Sequence, residues 1–228
     1  MFSKSPDLVV KVIDANFFSK IYVVYLETVT SSDKVNEYIL KEFILKKNEV
    51  NKKNITSYVA GANVKKISNI DLCEFYLTNG FAIVIMGNSL FGVECRADIN
   101  RSITEAKVES SINGPKDAFV ENIQINIGLI KRRLKSSKLK IENLYLGRKS
   151  LTNISIMYFD DVADLEMVKK IIDKLNIVDI DGIVDSSTVG FLLTGENNSI
   201  YPTFMETERP DIVAKCLLEG KVAIVVDT

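Results

Sequence analysis

The sequence contains neither histidine nor tryptophan. Without an imidazole, Ser-His-Asp catalysis, Cys-His catalysis and histidine-based metal sites are all excluded. The three cysteines, Cys73, Cys95 and Cys216, are widely spaced and form no CxxC pair, so neither a zinc site nor a redox-active dithiol is indicated. We expect reduced, mostly buried thiols in a reducing compartment.

Loops that bind nucleotides or present a nucleophile are also missing. The sequence has no Walker A loop, no GxGxxG and no GxSxG. We therefore expect a protein that is not an enzyme and needs no cofactor. Lys and Arg number 29 against 30 Asp and Glu, and this net charge of -1 gives no reason to expect binding to nucleic acid.

Long apolar runs are absent as well. Runs such as Phe81–Met86 and residues 222–226 fall far short of the roughly 20 residues that span a bilayer. The first 14 residues lack the apolar centre of a signal peptide. We expect a soluble domain. Because the sequence stops directly after an apolar run, we also expect it to be part of a longer protein.

Acidic residues cluster near predicted strand ends, at Asp160, Asp161, Asp179, Asp181 and Asp185. Their spacing does not match a calcium-binding loop. Solvated loop acids are the simpler interpretation, and a weak cation site is the alternative. Ser186 and Ser187 are predicted to cap a helix that starts near Thr188.

The chain contains an internal repeat. Residues 21–27 resemble residues 154–160, which lie 133 positions further along. Residues 77–86 resemble residues 217–226 at an offset of 140 positions. Two similar segments in the same order favour a duplication over chance likeness between two ordinary β-α pieces.

Each half of the repeat reads as strand, helix, variable middle, helix, glycine and strand. This order predicts an α/β fold of two similar βα lobes, each a mixed sheet flanked by helices, with some parallel pairing. We expect an N-terminal α/β lobe at residues 1–97, a polar connector at 98–107 and a second α/β lobe at 108–228. Gly80 and Gly220 are placed just past helix ends, where a left-handed backbone costs a glycine least.

Several short blocks stand out in the second half. In chain order they are Gly114-Pro115 with Phe119, Glu121-Asn122, Asn126 and residues 129–134; Gly147-Arg148-Lys149-Ser150; Asp181-Gly182-Ile183 with Asp185-Ser186; and Thr207-Glu208-Arg209-Pro210-Asp211 with residues 218–224. Together they resemble the GerA family of spore germination receptor A subunits. The resemblance extends over essentially the whole chain from about residue 20.

The resemblance implies the soluble N-terminal domain of a receptor subunit in the inner membrane of the spore, here predicted on the cytoplasmic side. It implies nutrient-triggered germination together with B and C subunits, a response to small molecules such as amino acids, sugars or nucleosides, and self-association of the full-length A subunit. Two roles stay open: germinant sensing or signal transmission, and a purely structural oligomerisation and docking domain.

Five residues are candidates for ligand binding. Arg148 and Arg209 carry the planar fork that holds a carboxylate bidentately. Glu121 and Glu206 suit an amine, and Asn122 lies beside the apolar stripe of a predicted helix. We expect the ligand in a cleft between the lobes. A structural ion pair between Arg209 and its neighbouring glutamates is the alternative.

Overall fold

The computed structural model describes residues 2, 5–16, 19–46, 49–50, 53–59, 63–98, 115, 117–195 and 204–227. The chain divides into two compact units. The first unit comprises residues 7–99 and 135–137, and the second comprises residues 2–6, 100–134 and 138–228. The predicted connector, 98–107, lies outside the described residues apart from its first position, and the predicted lobe boundaries stay a prediction.

The first unit is a five-stranded sheet with helices on both faces. Its elements are β1 (Leu8–Asn16), β2 (Ser19–Leu26), α1 (Ser32–Val35), a π-helical segment (Asn36–Leu40), α2 (Lys41–Leu45), α3 (Ile55–Tyr58), β3 (Val64–Ile67), α4 (Leu72–Thr78), β4 (Phe81–Met86) and β5 (Ser89–Glu94). The strand order is β1-β2-β4-β5-β3. The helical run starts where the Ser31 side chain accepts a hydrogen bond from the Lys34 amide. It places Val35, Ile39 and Phe43, four positions apart, in the core.

The second unit is a three-stranded sheet between two pairs of helices. Its elements are α5 (Ile123–Arg133), β6 (Leu139–Leu146), β7 (Thr152–Phe159), α6 (Leu165–Asn176), α7 (Ser186–Thr194), α8 (Pro210–Leu218) and β8 (Ala223–Val226). The strand order is β6-β7-β8. Helices α5 and α8 pack on one face and α6 and α7 on the other, so that two separate apolar clusters lie on the two sides of the sheet. None of the helices within the described residues has the length and hydropathy that a membrane span requires.

Both long apolar runs form strands with side chains buried on both faces, as their composition predicts. In β4, Val84 belongs to the core under the α1 and α2 helices, and Ile83, which points to the opposite face, is also buried. In β8, Val225 joins the cluster under α5 and α8, while Val226 joins the cluster under α6 and α7.

The predicted α/β class, with two sheets flanked by helices, is confirmed. The predicted parallel pairing is wrong, because every strand pair in the described residues is antiparallel. A strand-helix-strand connection usually returns the chain in the same direction and so gives parallel neighbours. Here the connection from β2 to β4 contains the edge strand β3, and the connection from β7 to β8 contains three helices. These longer routes let the second strand enter from the opposite end.

The duplication is visible in the strand register. In the first unit Ile21 lies opposite Met86. Their predicted counterparts, Ile154 and Val226, lie opposite each other in the second unit. The remaining pairs of the β2-β4 and β7-β8 ladders follow the same correspondence. The two units therefore share a three-stranded core, β1-β2-β4 and β6-β7-β8, to which the first unit adds β5 and β3.

The two glycines of the repeat occupy equivalent positions with equivalent contacts. Gly80 has φ +78° and Gly220 has φ +84°, as predicted for residues just past a helix end. A Cβ atom on Gly80 would lie 2.7 Å from the carbonyl oxygen of Val29. On Gly220 it would lie 2.9 Å from the carbonyl oxygen of Val162, which is the counterpart of Val29 in the repeat. In both units, the lack of a side chain at this glycine therefore allows the helix end to pack closely against a turn.

Candidate functional site

The 147–150 turn is fastened to the loop at residues 180–183. The Arg148 amide donates to the Ile180 carbonyl at 2.9 Å, and the Lys149 amide donates to the Asp181 carbonyl at 2.8 Å. The Ser150 hydroxyl accepts a hydrogen bond from the Ile183 amide at 3.1 Å. Hydrogen bonds between two of the sequence blocks therefore hold two adjacent loops together.

Glycine is required at one corner of this junction. Gly147 has φ +87°, which favours glycine, and a Cβ atom there would overlap the Ser150 hydroxyl and approach Gly182 Cα to 3.0 Å. The two loops can come this close because Gly147 lacks a side chain, whereas a Cβ atom on Gly182 would meet Ser150 only at an ordinary 3.5 Å.

Arg148 extends from this turn into solvent. Its side chain is 65% exposed, and its Nε lies 3.1 Å from an oxygen of Asp179 and 3.4 Å from an oxygen of Asp181. Lys149 pairs with Asp181 at 2.8 Å. Two cations thus face two carboxylates at an accessible edge, where exposed pairs contribute little to stability and exchange partners readily.

Helix α5 begins at a double cap. The Asn122 side chain accepts hydrogen bonds from the amides of Gln124 and Ile125, at 2.9 and 3.2 Å. The Ile123 amide donates to the carboxylate of Asp227 at 3.0 Å, which ties the helix start to the end of β8. Asn122 is therefore a structural residue of the helix terminus.

Asn126, one turn further along, holds the chain that leads into α5. Its side-chain oxygen accepts from the Val120 amide at 2.8 Å, and its side-chain nitrogen donates to the Val120 carbonyl at 2.6 Å. Asn126 is buried, so this two-way bond satisfies polar groups that would otherwise be costly in the core.

Two arginine–aspartate pairs lie at the other end of α5. Arg133 donates through Nη2 to both oxygens of Asp117 at 2.6 Å. Arg209 donates to Asp211 through Nε at 3.2 Å and Nη2 at 2.7 Å. The hydrogen bond from Arg209 and the positive charges of both arginines lower the pKa of Asp211. A backbone hydrogen bond from the Phe119 amide to the Glu208 carbonyl, at 2.8 Å, joins the two chain segments near these pairs.

The five predicted site residues have different partners and different environments. Asn122 caps α5, Arg209 is bound to Asp211, and Arg148 pairs with loop acids. Glu121 and Glu206 are exposed. Their role in binding a ligand stays a prediction.

Sequence reasoning missed the Asp117–Arg133 pair, since Arg133 was considered only as part of the block at residues 129–134. It also considered the neighbouring glutamates as partners of Arg209, whereas the fork faces Asp211. The spacing in the sequence could have indicated the pair of Arg209 with Asp211, because an aspartate two positions after an arginine at a helix start lies within reach of the guanidinium group. Gly114 and residues 201–203, which belong to or border the same blocks, lie outside the described residues.

The acidic clusters serve local structure. Asp161 pairs with Lys138 at 2.6 Å, and Asp160 pairs with Lys140 at 3.3 Å. Asp185 caps α7 by accepting a hydrogen bond from the Thr188 amide. The hydrogen bonds that its carboxylate accepts from Ser187, which has the largest effect, and from Thr188 lower the pKa of Asp185. The predicted caps were therefore wrong, since Asp185 precedes the helix and both serines lie inside it. Across the described residues no three Cys, Asp or Glu side chains come together as metal ligands would.

The fold and this framework define a duplicated α/β module in which polar motif residues fasten loops to helix ends. A solved structure has the same fold. The chain matches the N-terminal domain of the A subunit of the Bacillus megaterium spore germinant receptor GerK3 with a TM-score of 0.71 and 28% sequence identity, over 98% of this chain and 85% of that one.

The sequence comparisons agree with the structural match. The family model described as Bacillus/Clostridium GerA spore germination protein matches residues 1–228, and the chain belongs to this family. It is 30% identical to the spore germination protein GerQA of Bacillus cereus over 230 residues, which cover 100% of this chain and 46% of that protein. It is 39% identical to the spore germination protein KA of Bacillus subtilis over 127 residues, or 56% of this chain and 23% of that protein. The chain thus spans about half or less of the length of these relatives.

Proposed function

We propose that this chain is the N-terminal module of a germinant receptor A subunit and takes part in nutrient-triggered spore germination. In this role it senses a germinant, or transmits the signal of one, to the membrane part of the receptor. The observation that carries the proposal is the match to the GerK3 A-subunit domain over 98% of the chain, together with the family match over its whole length. The function of the whole protein is inferred, since the relatives are about twice as long.

The proposed setting is the inner membrane of the spore, with this module on the cytoplasmic side and the B and C subunits as partners. The state of the cysteines supports the cytoplasmic side. Cys73, Cys95 and Cys216 are all free thiols, the state that a reducing compartment maintains.

Arg148 is the better of the two arginine candidates for a ligand. Its fork is exposed, and the contacts to Asp179 and Asp181 at 3.1 and 3.4 Å leave room for a competing carboxylate. The fork of Arg209 is half-buried and already engaged bidentately by Asp211. A ligand would have to displace a pair that the protein itself supplies, so we assign Arg209 to the framework.

Titration of the purified chain tests the sensing role. Amino acids, sugars and nucleosides would be added at millimolar concentration, and the melting temperature and the heat of binding measured. A ligand present at 100 times its Kd stabilises the folded state by about 2.7 kcal/mol. Arg148→Gln is expected to remove the response to a carboxylate-bearing nutrient, whereas Lys149→Gln, at the next position of the same turn, is expected to keep it.

No response to any of these nutrients would move germinant binding to another subunit. The purely structural oligomerisation and docking role would then account for the chain. One observation favours that alternative: Arg133, Arg148 and Arg209 of the motif blocks already have carboxylate partners within the chain.

A further inference from the structure

The outer face of β1 and β2 is an apolar surface that reaches solvent. The face consists of Val10, Val12, Tyr22 and Val24, which pair across the two strands as Val10 with Val24 and Val12 with Tyr22. Val10 and Val12 are each 50% exposed and Tyr22 is 38% exposed. Ile13 on β1 and Ile21, Val23 and Tyr25 on β2 lie at alternate positions and belong to the core of the first unit, so the four residues of the outer face form the second side of the same sheet.

The second unit shows what covers the equivalent face. In the repeat, Val10 and Val24 correspond to Ile141 and Met157, which pair in the same way on β6 and β7. Both are buried in the cluster that α5 forms with the sheet. The apolar stripe of α5, including Ile127 and Ile130, lies on them. A three-turn amphipathic helix is therefore the element that fits this face of the duplicated core.

The apolar face is one residue pair longer in the first unit than in the second. The next pair along the second unit is Asn143 with Ser155, whose side chains are hydrogen-bonded at 2.8 Å. The corresponding pair in the first unit is Val12 with Tyr22. Within the described residues of the first unit, no helix occupies the place that α5 has in the second.

We propose that the outer face of β1 and β2 binds an amphipathic helix of a different protein. The helix would carry branched aliphatic side chains at i, i+4 and i+7 and span about 16 Å, the length of the 11 residues of α5. The exposed, mutually opposite Asp14 and Lys20 border the face and would meet polar flanks of that helix. The α5 helix of a second copy cannot fill this role, because most of its apolar side chains are already buried in its own unit.

Site-specific photo-crosslinking tests this surface without reference to germination. A photoreactive amino acid would replace Val12 in the full protein, expressed in the cells that make it, and the crosslinked peptides would be mapped by mass spectrometry. The matched control places the same amino acid at Val184, which is 84% exposed in the second unit. The expected result is an adduct from position 12, with little from position 184, to a segment of another protein with apolar residues at helical spacing.

Substitution on the same face provides the second arm. Val10→Lys should reduce that adduct at least tenfold while leaving the melting temperature of the chain close to that of the wild type, because Val10 is half exposed. The proposal is overturned if position 12 gives no more adduct than position 184, or if the adduct maps to this chain, to a second copy, or to a segment without helical apolar spacing. It is also overturned if Val10→Lys leaves the adduct unchanged.

Discussion

Replacement of Gly220 by alanine tests the duplicated packing of helix end against turn. Gly220 has φ +84°, and an alanine Cβ would lie 2.9 Å from the Val162 carbonyl oxygen, closer than such atoms approach in folded proteins. The left-handed backbone costs a residue with a side chain about 1–2 kcal/mol. Relief of the close contact, which needs a shift of the β7–α6 turn, adds about 1–2 kcal/mol. We therefore expect the free energy of unfolding to fall by about 2–4 kcal/mol in total.

The assay is urea unfolding of the purified chain followed by circular dichroism. Gly80→Ala should destabilise the first unit by a similar amount, since its Cβ would lie 2.7 Å from the Val29 carbonyl oxygen. Gly182→Ala is the control, because a Cβ there meets Ser150 only at an ordinary 3.5 Å and the residue lacks a positive φ. A Gly220→Ala protein as stable as the Gly182→Ala protein would refute the packing argument.

Three further predictions concern single side chains. Because Arg209 lowers the pKa of Asp211, the carboxylate stabilises the fold above its unfolded pKa of about 3.9, and this stabilisation is lost as the pH falls through the lower folded pKa. Asp211→Asn should therefore be less stable than the wild type by about 1–2 kcal/mol at pH 7, with the difference shrinking below about pH 4 in urea titrations; a constant difference would contradict this. Burial raises the pKa of Cys95 to about 12, so iodoacetamide should modify the half-buried Cys216 well before Cys95 in the folded protein, as mass spectrometry would show. Ser150→Ala should cost about 1–3 kcal/mol in thermal unfolding, because the Ile183 amide loses its hydrogen-bond acceptor, and unchanged stability would contradict that role.

The repeat in the sequence predicted much of the fold. A glycine before an apolar run indicated both the helix ends at Gly80 and Gly220 and the buried strands that follow them. Strand direction could not be predicted in the same way. The amino-acid composition of a strand indicates whether the strand is buried, but it does not indicate whether the strand runs parallel or antiparallel to its neighbour. The extra edge strand β3 is short and has exposed lysines, so its apolar signal is weak.

The candidate site was predicted as a set of residue types but not as an arrangement. Asn122 and Arg209 were predicted as candidates for ligand binding, and both have specific partners within the chain. Their partners, main-chain amides and Asp211, depend on local backbone geometry that a motif does not reveal. The blocks that carry the family resemblance prove to be mainly cap, turn and ion-pair residues, which explains why they stand out in sequence without forming one cluster.

Nutrient-triggered germination of spores that contain the full-length protein tests the proposed function most directly. Full-length proteins carrying Arg148→Gln or Lys149→Gln would be compared with the wild type at equal protein level, by the loss of optical density after nutrient addition. The proposed sensing or relay role predicts slower germination with Arg148→Gln and a normal rate with Lys149→Gln. If spores with Arg148→Gln germinated at the wild-type rate, the proposed role of this turn in the nutrient response would be contradicted. If germination were unchanged after deletion of the whole module, the proposed function itself would be contradicted.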